Sequence, residues 1–298
     1  DRSVSRGLGD VYKRQMEMSV TPDFDDYKLA NPLLEKVKSR KIDESVIDER
    51  IERILTMMER IKLGDKTRNK GCTNTKDHQQ TIQQIAEEGI VLLKNDTAHL
   101  PLSKETKKIL VLGDNAKRTH AAGGGSAEIK ALYDISPLLG MRMVLGGDAQ
   151  IDWLPGYYVD NEKHVTGEVD WQAESLDVDY TTDRGKEQFD KEIRPIREKY
   201  LKEALDACPS YDEVIFIGGL NHAYDVEGFD RPDMTLPYGQ NEVIEALTEK
   251  CKNLTVVLIN GGPVEMPWIN KANSLIQTSY CGICLLYTSP SPRDTERS

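Results

Sequence analysis

The spacing of apolar and polar residues predicts that the chain begins with amphipathic helices. A short helix is expected over residues 32–40, and a longer one from Asp43, which can cap its first turn, to Gly64. Apolar residues of the longer helix recur at intervals of three and four, which places them on one face. They are Ile47, Ile51, Ile54, Leu55, Met58 and Ile61.

A third helix is predicted after a polar, lysine-rich segment at residues 65–76. Asp77 and Gln80 have the spacing of a capping box, in which two side chains satisfy backbone N–H groups at the start of a helix. The apolar residues that follow lead directly into the run 89–93. We therefore expect the helix to continue through this run and to end at residues 94–96.

Farther along, the pattern changes to short apolar runs that stop at glycine or polar residues. Helical stretches are predicted between them, at 186–207 and 241–251, and no element is assigned to the acidic stretch 159–184. Such alternation indicates an α/β fold with a mostly parallel sheet, whose ligands bind beyond the carboxyl ends of the strands. The predicted strands are Lys108–Leu112, 213–217, Leu254–Ile259 and Ser274–Thr278.

Composition narrows the possible partners. The 298 residues are 38% hydrophobic, enough for a buried core, and no apolar run approaches the ~20 residues of a membrane-spanning helix. The net charge of −11 argues against a protein that binds the nucleic-acid backbone, which usually presents a basic face. A neutral, hydroxyl-rich substrate suits this charge better than nucleic acid or a membrane does.

The two ends of the chain can be encoded by one short piece of DNA. The codons GAT GTG TAT AAG AGA CAG encode Asp10-Val-Tyr-Lys-Arg-Gln15, and their reverse complement, read from its second base, encodes Cys284-Leu-Leu-Tyr-Thr-Ser289. We interpret both ends as translated sequencing adapter and treat residues 1–15 and 284–298 as non-native tails.

This interpretation changes how the cysteines are assessed. Cys281-Gly-Ile-Cys284 has the spacing of redox and metal sites, but its second cysteine falls in the expected tail. The remaining cysteines, Cys72, Cys208, Cys251 and Cys281, are far apart in the sequence. We expect no disulfide framework, and we expect these thiols to be buried or idle.

The segment 219–240 carries the densest set of reactive side chains. It follows a predicted strand and contains His222, Asp225, Glu227, Asp230 and Arg231. A loop with this content indicates a functional site, and a solvated acidic turn is the alternative. The chain's histidines lack the spacing of metal ligands, so we predict no metal site and no cofactor.

Several motifs, taken in order, resemble glycoside hydrolase family 3, which includes β-glucosidases and β-xylosidases. The similarity spans residues 16–282. The motifs are Met16-Glu-Met18, Glu88-Gly-Ile-Val-Leu-Leu-Lys-Asn95, Leu112-Gly-Asp-Asn-Ala116, Gly123-Gly-Gly-Ser126, Ile135-Ser-Pro-Leu138, Glu227-Gly-Phe-Asp-Arg231 and Asn260-Gly-Gly-Pro-Val-Glu-Met-Pro-Trp268.

The resemblance implies an incomplete (α/β)6 sandwich domain preceded by the last helices of a TIM-like barrel. Residues 16–64 would be the barrel remnant, 65–105 a linker and helix, and 106–283 the truncated sandwich. In the family the nucleophilic aspartate precedes the Met-Glu-Met segment. Most of the barrel is then missing from this polypeptide, so the apolar stripe of the second helix should be exposed.

The resemblance also implies roles for particular residues. Glu227 would be the general acid/base, and Ser126 would approach the bound sugar. Asp230 and Arg231 are expected to pair and to fix the loop.

Other residues compete for these roles. Asp225 is a rival candidate for the proton donor, because its position in the loop does not exclude that role. Glu265 is a second rival, for which a structural role is favoured. His222 is an equal candidate for a sugar contact or a structural role.

The expected function is therefore a fragment of a retaining glycoside hydrolase. The parent would release terminal β-D-glucosyl or related residues from a β-glucoside or oligosaccharide by double displacement, which needs two carboxyl groups about 5–5.5 Å apart. With the acid/base but not the nucleophile, the polypeptide is expected to be inactive. The alternatives are a non-catalytic sugar-binding or interaction module, and a nucleotide-binding domain that uses the glycine-rich segment 123–126.

Overall fold

A computed structural model of the chain describes two separate compact units. The described residues are 17, 23, 25, 27–67, 71–72, 75–119, 135–159, 187, 189–225 and 231–280. The first unit is Asp1–Cys72 and the second is Thr73–Ser298. In the described part of the chain, no helix combines the length and the apolar character needed to cross a lipid bilayer.

The first unit contains α1 (Asn31–Lys38) and α2 (Glu44–Arg60). The side chain of Asp43 accepts a hydrogen bond from the backbone N–H of Ser45, which confirms the predicted cap. The helix ends before Gly64 because Lys62 adopts a left-handed φ of 53° and the N–H of Leu63 closes back onto the carbonyl of Met58.

The predicted exposure of the α2 stripe is confirmed. Neither α1 nor α2 contains a buried residue. Ile51 is 47% exposed, Leu55 is 56% exposed, and Ile61 is 48% exposed. Ile47 and Ile54 are half-buried, so the surface that we call the α2 stripe is the exposed part of the predicted face, formed by Ile51, Leu55, Met58 and Ile61.

The second unit is built on a six-stranded sheet with the order β1-β6-β5-β4-β2-β3. Every neighbouring pair is parallel except β1 and β6, which are antiparallel. The elements in chain order are α3 (Lys76–Glu88), β1 (Val91–Lys94), β2 (Lys108–Leu112), α4 (Pro137–Leu145), β3 (Gln150–Leu154), α5 (Arg194–Ala207), β4 (Glu213–Gly219), α6 (Gln240–Lys250), β5 (Leu254–Ile259) and β6 (Ser274–Thr278). The expected α/β fold with a mostly parallel sheet is confirmed.

The central strands are apolar on both faces because the core lies on both sides of the sheet. On one side, Leu110 and Phe216 pack in a cluster that includes Ile244 of α6. On the other side, Val111 packs in a cluster that includes Leu138 of α4. This two-sided burial explains why the strands consist of uninterrupted hydrophobic runs.

Several predicted boundaries are wrong around α3. Its cap is Thr75, whose side chain accepts from the N–H of His78, rather than Asp77. The run after Gly89 is not helical but forms β1 at the sheet edge, antiparallel to β6. The helix ends because Gly89 caps it, and the following apolar residues satisfy their backbone groups by pairing with β6.

Two elements of the sheet domain were not predicted. Ser136 caps α4 by accepting from the N–H of Leu139, and Gly146 ends it with a left-handed φ of 54°. β3 then pairs with β2 at the other edge of the sheet. Both elements lie between the predicted strands β2 and β4, and β3 extends the sheet beyond the four strands that the sequence indicated.

Candidate active site at the carboxyl edge of the sheet

The loops after β4, β5 and β6 meet at the carboxyl edge of the sheet because these three strands are parallel neighbours. This is the edge at which open parallel sheets usually bind ligands. The loop after β4 is the segment in which the sequence predicts the chemistry.

Gly219 allows the chain to leave β4 close to β5. Its φ of 119° lies in the region that favours glycine, and a Cβ at this position would overlap the carbonyl oxygen of Ile259. The N–H of Leu220 donates to that same carbonyl at 2.9 Å. The turn therefore depends on a residue without a side chain.

Gln240, the first residue of α6, closes the base of this loop. Its Oε1 accepts from the N–H of Gly219 and its Nε2 donates to the carbonyl of Gly219, both at 2.8 Å. The side chain is fully buried, so these two bonds satisfy polar groups that have no access to water. Gln240 thus joins the two ends of the segment 219–240.

Asn221 shapes the first turn of the loop. Its Oδ1 accepts from the N–H of Ala223 at 3.1 Å, and its Nδ2 donates to the hydroxyl of Tyr238 at 2.8 Å. Tyr238 has an unusual left-handed φ of 65° just before α6. This bond between buried side chains connects the start of the loop to its end.

Asp225 is anchored to both neighbouring loops. Its Oδ2 accepts from the backbone N–H of Gly261, after β5, at 2.6 Å and from the hydroxyl of Tyr280, after β6, at 3.0 Å. A side chain at Gly261 would collide with this carboxylate. Burial, reinforced by the negative charge of Asp225, raises the pKa of Tyr280 above its ordinary value of 10.

Arg231 is anchored to the same β5 loop. Its Nη2 donates to the carbonyl of Pro263 at 2.6 Å. Its Nη1 is buried and has no hydrogen-bond partner among the residues that the structure describes. Asp225 and Arg231 therefore fix both flanks of residues 226–230 to the short loop 261–263, an arrangement that we call the two-point clamp.

The predicted site residues are distributed unevenly over the described part of the chain. Arg231 lies at the carboxyl edge, as described above. Glu227, Asp230 and Ser126 lie outside the described residues, as does the expected pairing of Asp230 with Arg231. The glycine-rich segment 123–126, on which the nucleotide-binding alternative depends, also lies outside them.

The rival residues have structural contacts. Glu265 is exposed, and its Oε1 accepts from the hydroxyl of Thr235 at 3.0 Å. His222 is half-buried, with its ring 6.0 Å from that of Tyr280 in an edge-to-face arrangement.

Sequence reasoning missed Tyr280 and the role of Gly261. The signal available for both was their position directly after a predicted parallel strand. Within the described ranges, no group of three or more His, Cys, Asp or Glu side chains is arranged to hold a metal ion.

Comparison with known families and proteins shows that this chain is similar to part of known glycosidases. The profile of the Glycosyl hydrolase family 3 C-terminal domain matches residues 90–283. Beta-glucosidase BoGH3A of Bacteroides ovatus is 35% identical over 267 residues, which cover 87% of this chain and 32% of that protein. Thermostable beta-glucosidase B of Acetivibrio thermocellus is 31% identical over 270 residues, covering 90% of this chain and 30% of that protein. The chain therefore spans about a third of the length of these curated relatives.

Solved structures show the same fold. A beta-glucosidase from Kluyveromyces marxianus in complex with glucose matches with a TM-score of 0.70 and 21% identity, over 92% of this chain and 48% of that one. A β-glucosidase from Erythrobacter marinus matches with a TM-score of 0.69 and 22% identity, over 89% of this chain and 35% of that one.

Proposed function

This chain belongs to glycoside hydrolase family 3, and on that premise we propose that it is part of a retaining glycosidase that releases terminal β-D-glucosyl or related residues from a β-glucoside or oligosaccharide. The relatives named above are β-glucosidases, and another, 31% identical over 265 residues, is a beta-xylosidase of Formosa agariphila.

Glu227 is the proposed general acid/base of this reaction. The two-point clamp is the main support for this proposal. Residue 227 lies in the sequence between Asp225 and Arg231, and both of these residues are hydrogen-bonded to loop 261–263 at the carboxyl edge. A proton donor needs a fixed position relative to the glycosidic oxygen, and anchoring on both flanks favours one. Ser126, which follows β2, the neighbour of β4 in the sheet, is the proposed sugar contact.

The chemistry requires a second carboxylate. In the first step a nucleophilic carboxylate attacks the anomeric carbon while Glu227 gives its proton to the departing glycosidic oxygen. In the second step Glu227 takes a proton from a water molecule. That water attacks the anomeric carbon, displaces the nucleophilic carboxylate and releases the sugar with its configuration retained. We propose that the nucleophile comes from the barrel segment that precedes Met16 in relatives, and that residues 1–298 alone do not turn substrate over.

The contacts of Asp225 favour Glu227 over its rival. One oxygen of Asp225 accepts two hydrogen bonds from donors that hold it against the β5 and β6 loops. A carboxyl group that donates a proton to substrate must direct that proton outward, whereas these contacts direct Asp225 toward the protein. We therefore assign Asp225 to positioning the loop.

A segment exchange tests the proposal. The matched segment of the Bacteroides ovatus relative is replaced by the corresponding part of this chain, so that the relative supplies the rest of the enzyme. We expect hydrolysis of an alkyl β-glucoside, and we expect Glu227→Gln to reduce kcat/KM by about 10²–10⁴-fold, the usual contribution of general acid–base catalysis. Azide should partly restore turnover of a nitrophenyl β-glucoside by Glu227→Ala, because azide attacks the glycosyl-enzyme without a general base.

Asp233→Asn is the matched control, since it neutralises an exposed carboxylate of the same loop and keeps the oxygen that accepts from the N–H of Thr235. Equal activity of the Glu227→Gln and unmodified exchange proteins would contradict the assignment. Turnover by residues 1–298 alone would contradict the proposed incompleteness. If those residues bind glucose in a calorimetric titration without hydrolysing any glucoside, the sugar-binding alternative is favoured.

A further inference from the structure

Two cysteines that are distant in the sequence meet at the amino-terminal edge of the sheet. Cys208 directly follows α5 and Cys251 directly follows α6, and each donates its backbone N–H to the last turn of its helix. Both side chains are free thiols that line one groove, and a hydrogen bond between the two thiols is the largest influence on the pKa of each. The expectation of buried or idle thiols agrees with the burial of Cys208, whereas Cys251 is only half-buried.

The pair lines an open groove of about 450 Å³. Cys208 is 3% exposed and belongs to the hydrophobic cluster between the sheet and α5 and α6, while Cys251 is half-buried. Lys250 and Lys252 also line the groove, and the carboxylate of Asp212 is occupied by the N–H groups of Lys107 and Lys108. The groove thus offers two lysines to a small anionic molecule that approaches the sulfurs.

The contact between the thiols makes them chemically unequal. The hydrogen bond from Cys251, assisted by the positive charge of Lys250, lowers the pKa of the Cys208 thiol against the effect of burial. The same hydrogen bond, together with burial, raises the pKa of Cys251. Whichever thiol of the pair loses its proton is the nucleophile, because the thiolate is the nucleophilic form of a cysteine.

We propose that Cys208 and Cys251 form a reversible dithiol–disulfide site that reacts with anionic low-molecular-weight disulfides. The thiolate of one cysteine attacks one sulfur of the small disulfide, which breaks the disulfide bond, forms a mixed disulfide and releases one small thiolate. The thiolate of the other cysteine then attacks the protein sulfur of the mixed disulfide and displaces the second small thiolate. The two thiol protons pass to the two leaving thiolates, so the protein is oxidised by two electrons and the small disulfide is reduced to two thiols.

The bond would close a ring that contains β4, the segment 219–240 and α6. A cross-link of this kind stabilises a fold mainly by restricting the unfolded chain. Because the cysteines precede β4 and β5 whereas the two-point clamp follows these strands, oxidation should stabilise the domain without altering the carboxyl edge. The inference is independent of the proposed glycosidase function.

The test uses the 298-residue chain with Cys72, Cys281 and Cys284 replaced by Ser, so that only Cys208 and Cys251 remain. After incubation with oxidised glutathione we expect both thiols to disappear without a retained adduct, and the mass to fall by two hydrogen atoms. The melting temperature should rise and should return to its starting value with dithiothreitol. A peptide map of the unsubstituted chain treated in the same way should contain the linked Cys208 and Cys251 peptides.

Cys251→Ser and Cys208→Ser in the same background are the matched controls. Each leaves the remaining cysteine without a partner thiol, so we expect a glutathione adduct to persist on that cysteine in at least one of them and no rise in melting temperature in either. The proposal is overturned if the two-cysteine protein retains glutathione. It is also overturned if the thiols stay reduced in the folded protein but react in urea, or if disulfide-linked dimers form.

Discussion

The hydroxyl of Tyr280 donates a 3.0 Å hydrogen bond to the carboxylate of Asp225, which joins the residue that follows β6 to the loop that follows β4. The same carboxylate accepts from the N–H of Gly261 in the loop between them. Three loops are therefore held by one side chain, and the consequences of removing it can be measured.

Replacing Asp225 should loosen this edge of the sheet. Asp225→Ala leaves the Tyr280 hydroxyl without this acceptor. Hydrogen bonds to a charged group typically contribute about 1.5–3 kcal/mol. We therefore expect the free energy of unfolding, measured in urea, to fall by about 1–3 kcal/mol. Asp225→Asn, which retains one acceptor oxygen, should lose less. A loss from Asp233→Ala as large as that from Asp225→Ala would show that the contacts of Asp225 are unimportant.

Tyrosine ionisation should destabilise the fold in alkali. Burial is the main cause of the raised pKa values of Tyr157 and Tyr280, so the folded protein keeps two phenol protons that the unfolded chain releases above pH ~10. The free energy of unfolding should therefore fall as the pH rises beyond that point. Tyr280→Phe should reduce this slope by one proton, or about 1.4 kcal/mol per pH unit. An unchanged slope would contradict the assignment.

The buried carboxyl group of Glu213 makes His99 important near neutral pH. Burial raises the pKa of Glu213, and the hydrogen bond from His99, 2.8 Å away, opposes this rise. In His99→Ala the folded-state pKa of Glu213 rises further. The loss of stability should therefore grow as the pH rises through the folded-state pKa of Glu213 in the unmodified protein, which lies above ~4.5, and should reach about 1–3 kcal/mol at pH 7. His78→Ala is the control, because His78 is exposed. Equal losses at pH 4 and pH 7 would exclude the carboxyl group as the cause.

Gly219 should not tolerate a side chain. Gly219→Ala places a methyl group against the carbonyl of Ile259 in a backbone conformation that alanine rarely adopts, so we expect a loss of about 3 kcal/mol or more in unfolding free energy. Gly64→Ala is the comparison, because no atom lies within 4 Å of the added carbon. Similar melting temperatures for the two variants would contradict this interpretation of the turn.

The central strands could be predicted from the sequence because both of their faces are buried, which produces apolar runs that end at glycine. β1 could not, because its apolar residues directly follow a helix and form a short exposed edge strand whose pairing with β6 is distant in the sequence. Ser136 and Gly146 are residue types that commonly begin and end a helix, but no helix was predicted between them, where the structure has α4.

The candidate site was predictable only in part. The residue types in the loop after β4 predict a functional site there, and Arg231, one of the residues named for it, is bonded to the neighbouring loop after β5. The contact of Asp225 with Tyr280 spans 55 positions and exists because β4, β5 and β6 are neighbours in the sheet. Strand order is a property of the whole chain, and no local pattern encodes it.

The α2 stripe will affect how this polypeptide behaves in solution. Its uncovered hydrocarbon surface should favour reversible self-association, which salting-out ions such as sulfate strengthen because they are excluded from protein surfaces. Apparent melting temperatures and ligand titrations should then depend on protein concentration. Stability measurements on the second unit are therefore best made in dilute protein without such salts, so that self-association does not contribute to the measured stability.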